Sequence, residues 1–373
     1  MKHPTQATRV LHIVPALFGA GDGVLGGAER YAFELARAMA EVVPTRLLTF
    51  GEREREEMVG KLSLRVCGSY YRVRGQAFNP VSFAVVKEVL NADIVHCHQQ
   101  HIAVSSLAAA TGRVTRRKVF VSNLGGGGWD ISSYLSTDRW YNGHLHISEY
   151  SRKVFGHSGE PWAHVILGGV DSEKFSPNSA APAEAGVVFA GRLLPHKGVD
   201  SLIEAMPHDL PLHIIGQPMD DRYYELLRSL ARGKRVEFHH DFSDQQLVDA
   251  YRQAICVVLP SVYRTVFGQE GKIPELLGQT LLEGMACGKP VICTDVASMP
   301  EIVREGITGF VVAPNDPPAL RAKICWLREH PCEAFRMGQT ARQRVLDHFT
   351  WHAVVQRCMR IYGLAAVYAC QTA

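Results

Sequence analysis

The chain alternates short runs of β-branched and aliphatic residues with longer segments whose apolar residues recur at helical spacing. This alternation predicts βα units and parallel sheets. The clearest helical stripe runs from residue 28 to residue 40. Two series of strands are predicted, one in each half of the chain: residues 10–14, 45–49, 94–98 and 119–122, then residues 187–190, 212–215, 236–238, 255–259 and 290–294.

Between the two series the periodicity is lost in a stretch rich in glycine, proline and small residues. This stretch begins at Leu167 and continues past Pro177 to Ala185, and its composition predicts a linker. We therefore expect two α/β domains, residues 1–170 and 171–350, each built on a doubly wound parallel sheet. The segment after residue 350 is again predicted to be helical.

Composition agrees with a packed globular enzyme, since 46% of the 373 residues are hydrophobic and 21% are charged. Forty Lys and Arg against 37 Asp and Glu leave a net charge of +3, which argues against nucleic acid as a partner. The nine cysteines form no C-x-x-C pair and predict reduced thiols in the cytoplasm. We expect neither a membrane span nor a signal peptide, because His12 and Pro15 interrupt the first apolar run.

A candidate anion site follows the first strand of the second series. Gly191, Arg192 and Lys197 lie in the loop between this strand and a helix predicted at residues 199–205. Two cations beside a helix N-terminus at the end of a parallel strand suit a diphosphate. A solvated basic turn is the alternative interpretation, and the loop alone does not decide between them.

A second candidate site surrounds the helix that ends at Gly288. Glu275 precedes this helix, and Glu283 is expected two turns along it, about 12 Å away for eight helical residues. That separation matches the reach from a hexose hydroxyl to the ribose of an extended nucleotide sugar. Gly278 predicts a turn whose free backbone N–H groups could approach a ligand. The alternative is two isolated glutamates on a solvated face.

Several motifs, each weak alone, follow one another along nearly the whole chain. They are Gly26-Gly27-Ala28-Glu29, the segment from Asp93 to His98, Gly169-Val170-Asp171, Gly191-Arg192 with His196-Lys197-Gly198, Pro260-Ser261, the two glutamates, and Pro300-Glu301 with Gly306 and Gly309. In number and order they resemble the retaining GT-B glycosyltransferases of the glycogen-synthase-like group, glycosyltransferase family 4. The resemblance implies two Rossmann-like domains facing across a cleft. The first would receive the acceptor, the second would bind the nucleotide sugar, and a final helix, 351–373, would pack back on the first.

The resemblance also implies roles for the candidate residues. Arg192 and Lys197 would neutralise the leaving diphosphate, and Glu275 would hold hydroxyls of the donor sugar. Glu283 would hold the ribose hydroxyls. Further donor contacts are implied for Gly26, Gly27, Gly191, Leu277, Gly278, Gln279 and Thr280. Because cations and the helix dipole would take the role of a metal ion, no metal or other cofactor is expected, and the sugar would be transferred with retention.

The first half departs from the family pattern. Many relatives carry a histidine after the strand predicted at 119–122, where this chain has Asn123. His98, Asn123, Gly125 and Trp129 are therefore candidate contacts to the sugar or the acceptor. The glycines at 125–128 suit either a flexible acceptor loop or a surface turn. We expect the long stretch at 262–274 to concern donor or acceptor choice.

The expected function is transfer of a hexose-type sugar from a nucleotide diphosphate sugar to a hydroxyl acceptor. UDP is favoured as the commonest donor nucleotide of this group. The acceptor could be a surface polysaccharide, a lipid-linked intermediate or a small natural product. A basic cluster at residues 113–118 would allow peripheral contact with the inner face of an anionic membrane, although a solvated loop is favoured.

Three alternatives remain open. The glycines at 21, 23 and 26 match the fingerprint of NAD-dependent oxidoreductases, but the preceding strand is predicted to end well before them. His96, Cys97 and His98 with His101 resemble a metal-ligand cluster of a hydrolase, although histidines of the core or the donor cleft are favoured. A sugar-nucleotide epimerase or an idle binding subunit of the same fold is the third, and the four charged candidates together argue against an idle copy.

Overall fold

A computed structural model describes residues 7–18, 26–125, 128–178, 185–271 and 274–364. The chain divides into two compact units. Unit 1 comprises Met1–Ile147, Ser151–Gly169 and Trp351–Ala373. Unit 2 comprises Ser148–Tyr150 and Val170–Thr350. The last helix therefore belongs to unit 1.

The elements follow in chain order. The strands are β1 (Val10–Ile13), β2 (Thr45–Phe50), β3 (Arg55–Val59), β4 (Leu62–Cys67), β5 (Tyr71–Arg72), β6 (Pro80–Val81), β7 (Ile94–Cys97), β8 (Lys118–Val121), β9 (Gly143–His146), β10 (Ala163–Val165), β11 (Val187–Ala190), β12 (Leu212–Ile215), β13 (Val236–His239), β14 (Cys256–Leu259), β15 (Val291–Thr294) and β16 (Gly309–Val312). The helices are α1 (Gly27–Ala40), α2 (Ala84–Asn91), α3 (Ala103–Thr115), α4 (Glu149–Val154), α5 (Val199–Ala205), α6 (Asp221–Leu230), α7 (Asp244–Gln253), α8 (Gln279–Ala286), α9 (Met299–Ile302), α10 (Pro317–Glu329), α11 (Pro331–His348) and α12 (Trp351–Tyr362). Among the described residues, none of these helices is long and apolar enough to cross a lipid bilayer.

Unit 1 is built on a described sheet of eight strands in the order β10-β9-β8-β7-β1-β2-β4-β3. The ladders are parallel except the one between β3 and β4. The central strands β1 and β7 are buried on both faces because helices cover both. Leu11, Val95 and Val119 pack in one buried cluster with residues of α2 and α3.

Helix α12 packs on unit 1 through aromatic side chains. The rings of Trp351 and Tyr31 have centroids 5.2 Å apart. The hydroxyl of Tyr362 lies 2.7 Å from Nδ1 of His96. The helix ends at Gly363, whose φ of 81° is the left-handed conformation common at helix C-termini. The final helix was expected over residues 351–373, and residues 365–373 lie outside the described part of the chain.

Unit 2 has a parallel sheet in the order β13-β12-β11-β14-β15-β16. This is the strand order of the nucleotide-binding Rossmann fold, which reverses direction between the first and fourth strands. Here the reversal lies between β11 and β14. Ligands of such sheets bind beyond the carboxyl ends of the strands at the point of reversal. The predicted class of two Rossmann-like units is confirmed.

The predicted strands are present, with bounds that differ by a residue or two. Strands β11 and β12 and helix α5 have the predicted bounds. The edge pair β3 and β4 was not predicted, because the residues of β3 are polar and mostly exposed. The strands β9, β10 and β16 were also missed.

Two glycines set the distance between β11 and β12 where both strands end. Gly216 follows β12 with a φ of 148°, and a Cβ there would lie 2.0 Å from the carbonyl oxygen of Gly191. Gly191 donates its backbone N–H to the carbonyl of Ile215 at 2.9 Å. A side chain at Gly216 would therefore displace the loop that carries Arg192.

We expect Gly216→Ala to destabilise the protein by about 2 to 4 kcal/mol, because the methyl group has no room and the backbone is strained. Gly233→Ala is the matched control, since Gly233 also has a positive φ (74°) but a Cβ there meets nothing within 4 Å. The control should cost about 1 to 2 kcal/mol. Urea unfolding followed by fluorescence measures both. Equal losses would contradict the proposed close approach.

Candidate functional site

The loop after β11 carries a free cation. Arg192 follows Gly191 and is exposed. Its guanidinium contacts no carboxylate among the residues that the structure describes. An exposed arginine at a parallel strand end is available for bidentate bonds to a phosphate.

The same loop turns sharply before α5. Pro195–Lys197 form a short 3-10 turn, and Gly198 follows with a φ of 65°. A Cβ at Gly198 would lie 2.1 Å from the carbonyl oxygen of Pro260, which follows β14. Glycine thus lets this turn approach the end of β14, at the point where the strand order reverses. The approach places Lys197 beyond the strand ends.

Lys197 forms an ion pair with Glu275. Its Nζ lies 2.5 Å from Oε2 of Glu275, and each side chain is 14% exposed. The other carboxylate oxygen, Oε1, accepts the backbone N–H of Gly278 at 3.3 Å. Each charge is therefore compensated although both are largely removed from water. A ligand that carries both an anion and a hydroxyl could replace this ion pair, with the anion bound to Lys197 and the hydroxyl donating to Glu275.

Helix α8 begins beside the end of β11. Gly278 precedes it with a φ of 74°, which glycine adopts without strain. The hydroxyl of Thr280 donates to the carbonyl of Ala190 at 2.8 Å. The first turn of α8, with Gln279 as its first residue, therefore lies next to the loop of Arg192. The positive end of the helix dipole there favours an anion.

The predicted helical spacing of the two glutamates is wrong. Glu275 and the buried Leu277 lie in the loop before α8, and the helix starts only at Gln279. Glu283 is therefore about one turn into the helix, and the estimate of about 12 Å along the axis does not apply. The helix cannot extend back to Glu275, because Gly278 has a left-handed conformation that is not part of a right-handed helix.

Glu283 is buried, with 7% exposure. The hydroxyl of Tyr251, on α7, donates to its Oε2 at 2.8 Å. Burial and the nearby carboxylate of Glu283 raise the pKa of Tyr251 well above its ordinary value. Neither glutamate thus lies on a solvated face. The role of Tyr251 could not be predicted from the sequence, because its contact with Glu283 joins two helices, α7 and α8, that are separated along the chain.

The carboxylate of Glu301, also in unit 2, binds backbone N–H groups of the segment Ser148–Tyr150. It accepts the backbone N–H of Glu149 at 2.8 Å and that of Tyr150 at 2.6 Å. Ser148 donates its hydroxyl to the carbonyl of Leu276 at 3.0 Å. The short segment Ser148–Tyr150 is therefore held beside the loop of Glu275 within unit 2. The Pro-Glu motif was noticed in the sequence, but without this role.

The candidate residues of unit 1 lie at the ends of strands or the start of a helix. Gly26 precedes α1, and a Cβ on Gly27 would meet nothing within 4 Å, so packing does not require glycine there. Asn123 follows β8 and is 5% exposed. Its Oδ1 is buried and has no hydrogen-bond partner among the described residues. That oxygen could accept a hydrogen bond from a ligand hydroxyl.

Gly125 and Trp129 border a loop whose residues 126 and 127 lie outside the described part of the chain. Gly125 has a φ of 92°. The guanidinium of Arg74 lies over the indole of Trp129, 3.8 Å from the ring centroid. Trp129 thus carries a cation on its face within unit 1.

His98 belongs to a buried group with His12 and His96. Nε2 of His98 lies 2.7 Å from Nδ1 of His12, and Nε2 of His96 lies 2.8 Å from the hydroxyl of Ser122. A distance of 2.7 Å is a hydrogen bond, since two ligands of one zinc ion are about 3.3 Å apart. The sequence missed His12. His101 bonds instead to the hydroxyl of Ser132 at 2.9 Å.

Comparison with known proteins finds a family that unit 2 resembles. Residues 171–344 match the family described as glycosyl transferases group 1. Through these residues, which form most of unit 2, the chain is similar to the group 1 glycosyl transferases. The assignment favours neither the NAD-dependent oxidoreductase nor the metal-dependent hydrolase.

Individual relatives agree with this family. The chain is 29% identical over 271 residues to alpha-maltose-1-phosphate synthase of Mycobacterium tuberculosis, covering 64% of this chain and 67% of that protein. It is 30% identical over 224 residues to the GDP-mannose-dependent alpha-(1-6)-phosphatidylinositol monomannoside mannosyltransferase of Mycolicibacterium smegmatis, covering 55% and 58%. The fold is similar to that of HepE of Anabaena in complex with UDP and glucose, with a TM-score of 0.72, 17% identity and coverage of 95% and 99%. GT-B is therefore the fold.

The buried histidines of unit 1 predict a pH dependence of stability. Burial lowers the pKa of His12 and His146 from 6.5 to about 3, and that of His144 to about 4. The unfolded chain takes up these protons near pH 6.5, while the folded chain resists them. Stability is therefore complete above pH 6.5 and decreases as the pH falls toward 4.

We expect each such histidine to cost about 1 to 2 kcal/mol of stability at pH 5. Urea midpoints at pH 7.5 and 5.0 measure the loss. His144→Gln should reduce the difference between the two midpoints. His352→Gln, at an exposed position of α12, is the control and should leave it unchanged. An equal difference in wild type and His144→Gln would refute this assignment.

Proposed function

We propose that this chain is a retaining, metal-independent glycosyltransferase that moves a hexose-type sugar from a nucleotide diphosphate sugar, with UDP favoured, to a hydroxyl acceptor. The observation that carries the proposal is the pair of Lys197 and Glu275 beside the exposed Arg192. Cations and a carboxylate are thus together at the point where a Rossmann sheet binds its ligand. The family assignment supports the same reaction class.

Arg192, Lys197 and the first turn of α8 bind the diphosphate. The leaving group gains negative charge as the bond to the sugar breaks. Positive charge that is already in place stabilises this transition state without reorganisation. Lys197 shifts from Glu275 to the phosphate when the donor binds, which leaves the carboxylate of Glu275 free to accept sugar hydroxyls. Gly191, Gly278 and Thr280 keep the surrounding backbone within reach of the donor.

Glu283 accepts the ribose hydroxyls of the nucleotide. Its hydrogen bond from Tyr251 fixes the orientation of the carboxylate before the donor arrives. A residue held this way contributes to binding of the nucleotide and is not expected to touch the reacting atoms. Gly26 and Gly27 in unit 1 are the proposed donor contacts that lie outside unit 2.

Transfer proceeds on one face of the sugar. The acceptor oxygen bonds to the anomeric carbon on the side from which the phosphate leaves. The bond from that carbon to the phosphate oxygen breaks, and the acceptor proton passes to the leaving phosphate. No protein nucleophile is required, and the configuration at the anomeric carbon is retained.

The similar proteins differ in the nucleotide of their donors. The HepE structure contains UDP and glucose, whereas the mannosyltransferase relative is named as GDP-mannose-dependent. UDP remains favoured as the commonest donor nucleotide of the group. Its rival in any experiment is GDP.

Acceptor contacts are proposed in unit 1. Asn123 offers a buried oxygen without a partner in the described structure, and Trp129 lies against the guanidinium of Arg74, whose charge could contact a polar acceptor. His98 and Gly125 lie at neighbouring strand ends. The acceptor class is a hydroxyl of a surface polysaccharide, a lipid-linked intermediate or a small natural product.

A peripheral membrane contact through residues 113–118 has less support. Arg113 donates to the carbonyl of Arg139 at 2.7 Å, and Arg117 pairs with Asp93 at 3.0 Å. Lys118 donates to the carbonyl of Tyr362 at 3.1 Å. These cations make internal contacts, so the cluster is favoured as part of the folded surface of a cytoplasmic protein.

A panel of UDP- and GDP-sugars in a thermal-shift assay tests the donor, because only a bound ligand stabilises the folded state. One UDP-sugar should raise the melting temperature more than its GDP counterpart. With that donor, the product should keep the anomeric configuration in an NMR spectrum, and EDTA should leave the rate unchanged. Inversion, or loss of turnover in EDTA restored by a divalent cation, would contradict the mechanism.

Lys197→Gln and Arg192→Gln should each lower kcat/KM by about 100- to 1000-fold, because each removes charge from the leaving group. Lys174→Gln is the matched control. Lys174 also lies 2.5 Å from a carboxylate, that of Asp244, but on the surface of unit 2. The control should keep wild-type turnover. Wild-type turnover in either test variant would refute its role.

A further inference from the structure

Three groups of side chains in the described residues bring metal-ligating atoms together. They are His12 with His96 and His98, His144 with His146 and His157, and His213 with Glu237 and His239. The first two are buried in unit 1, and the third lies in unit 2. The distances within the groups show which of them can hold an ion.

The first two groups are held by hydrogen bonds. Nδ1 of His12 lies 2.7 Å from Nε2 of His98, too close for two ligands of one ion. Nε2 of His146 lies 3.0 Å from Nδ1 of His157, while Nε2 of His144 lies 3.0 Å from the carbonyl oxygen of Asp138. In each of these two groups, one pair of ring nitrogens is therefore closer than two ligands of one zinc ion would be.

The third group has the spacing of a coordination site. Nδ1 of His213 lies 3.2 Å from Nε2 of His239 and 3.4 Å from Oε2 of Glu237. Nε2 of His239 lies 3.5 Å from the same oxygen. A tetrahedral zinc ion with bonds of about 2.0 to 2.1 Å separates its ligand atoms by about 3.3 to 3.4 Å. The three atoms thus match one face of such a tetrahedron.

The sheet fixes this arrangement. Strands β12 and β13 are parallel neighbours in which His213 pairs with Glu237 and Ile215 pairs with His239. Glu237 and His239 are two residues apart on β13, so both point to the same face of the sheet as His213. Ligands on adjacent strands are positioned more rigidly than ligands on loops.

We propose that His213, Glu237 and His239 form a Zn²⁺ site. Two imidazoles and a carboxylate are a ligand set that zinc accepts, with water in the fourth position. The ion would join the edge strand β13 to β12. This site is separate from the proposed transfer chemistry, which uses Arg192 and Lys197 and needs no metal ion.

The surroundings leave room for the fourth ligand. A cavity of about 250 Å³ adjoins the site, and the residues around it include His213, His239, Phe242, Gln246 and Asp249. The side chains of His213 and His239 are 28% and 22% exposed, and that of Glu237 is 62% exposed. The site is therefore reachable from solution.

The test uses Zn²⁺ and Co²⁺ alone on the full chain after dialysis against EDTA. Isothermal titration of wild type should give one Zn²⁺ per chain. Co²⁺ should give the intense visible absorption of tetrahedral coordination. Glu237→Gln and His239→Asn should each weaken Zn²⁺ binding at least tenfold. His208→Asn, at an exposed histidine of the same unit, is the control and should bind as wild type.

The outcomes separate the alternatives. Absence of stoichiometric Zn²⁺ binding, unchanged affinity in Glu237→Gln, or the weak spectrum of octahedral Co²⁺ would overturn the proposal. Glu237 is largely exposed, so its variant should fold and decides the question if His239→Asn does not. Circular dichroism checks folding in each case. No sugar donor is involved, so the result is independent of the proposed transferase.

Discussion

The ion pair between Lys197 and Glu275 is the interaction on which the candidate site depends. It joins the loop after β11 to the loop before α8, which are far apart in sequence. Gly198 and Gly278, both with positive φ, give these two loops their turns. Because both charges are largely buried, removal of one would leave the other uncompensated. The pair therefore holds the two loops together. It also keeps both side chains charged and in position, so that Lys197 could bind a phosphate and Glu275 could accept sugar hydroxyls when a nucleotide sugar enters.

The position of the pair follows from the topology of unit 2. The strand order reverses between β11 and β14, and the chain leaves a crevice there at the carboxyl ends of the strands. Close backbone contacts around the crevice require glycine, as between Gly216 and Gly191. The hydroxyl of Tyr251, on α7, donates a hydrogen bond to the carboxylate of Glu283 on α8. The strand reversal, the close glycine contacts and the paired charges all lie at the carboxyl ends of the strands of unit 2.

Much of this could be predicted from the sequence. The buried parallel strand β11 is a continuous apolar run bounded by glycine, and the loop that carries Arg192 and Lys197 follows it in sequence. What could not be predicted depends on contacts between distant segments, such as Tyr251 with Glu283 or His12 with His98. The helical spacing assumed for Glu275 and Glu283 failed because Gly278 delays the start of α8. The polar strand β3 has no apolar pattern, since it lies at the sheet edge.

The most direct measurement of the central claim is the activity and donor binding of the charge-reversed double variant Lys197→Glu with Glu275→Lys. The swap keeps an ion pair between the two loops but puts a carboxylate where the diphosphate should bind. If the pair serves the donor, the double variant should fold with a modest loss of stability, because a lysine at position 275 cannot accept the backbone N–H of Gly278, and should lose nucleotide-sugar binding and transfer. If the pair serves only to hold the loops together, the swapped protein would bind and transfer as wild type, which would contradict the account.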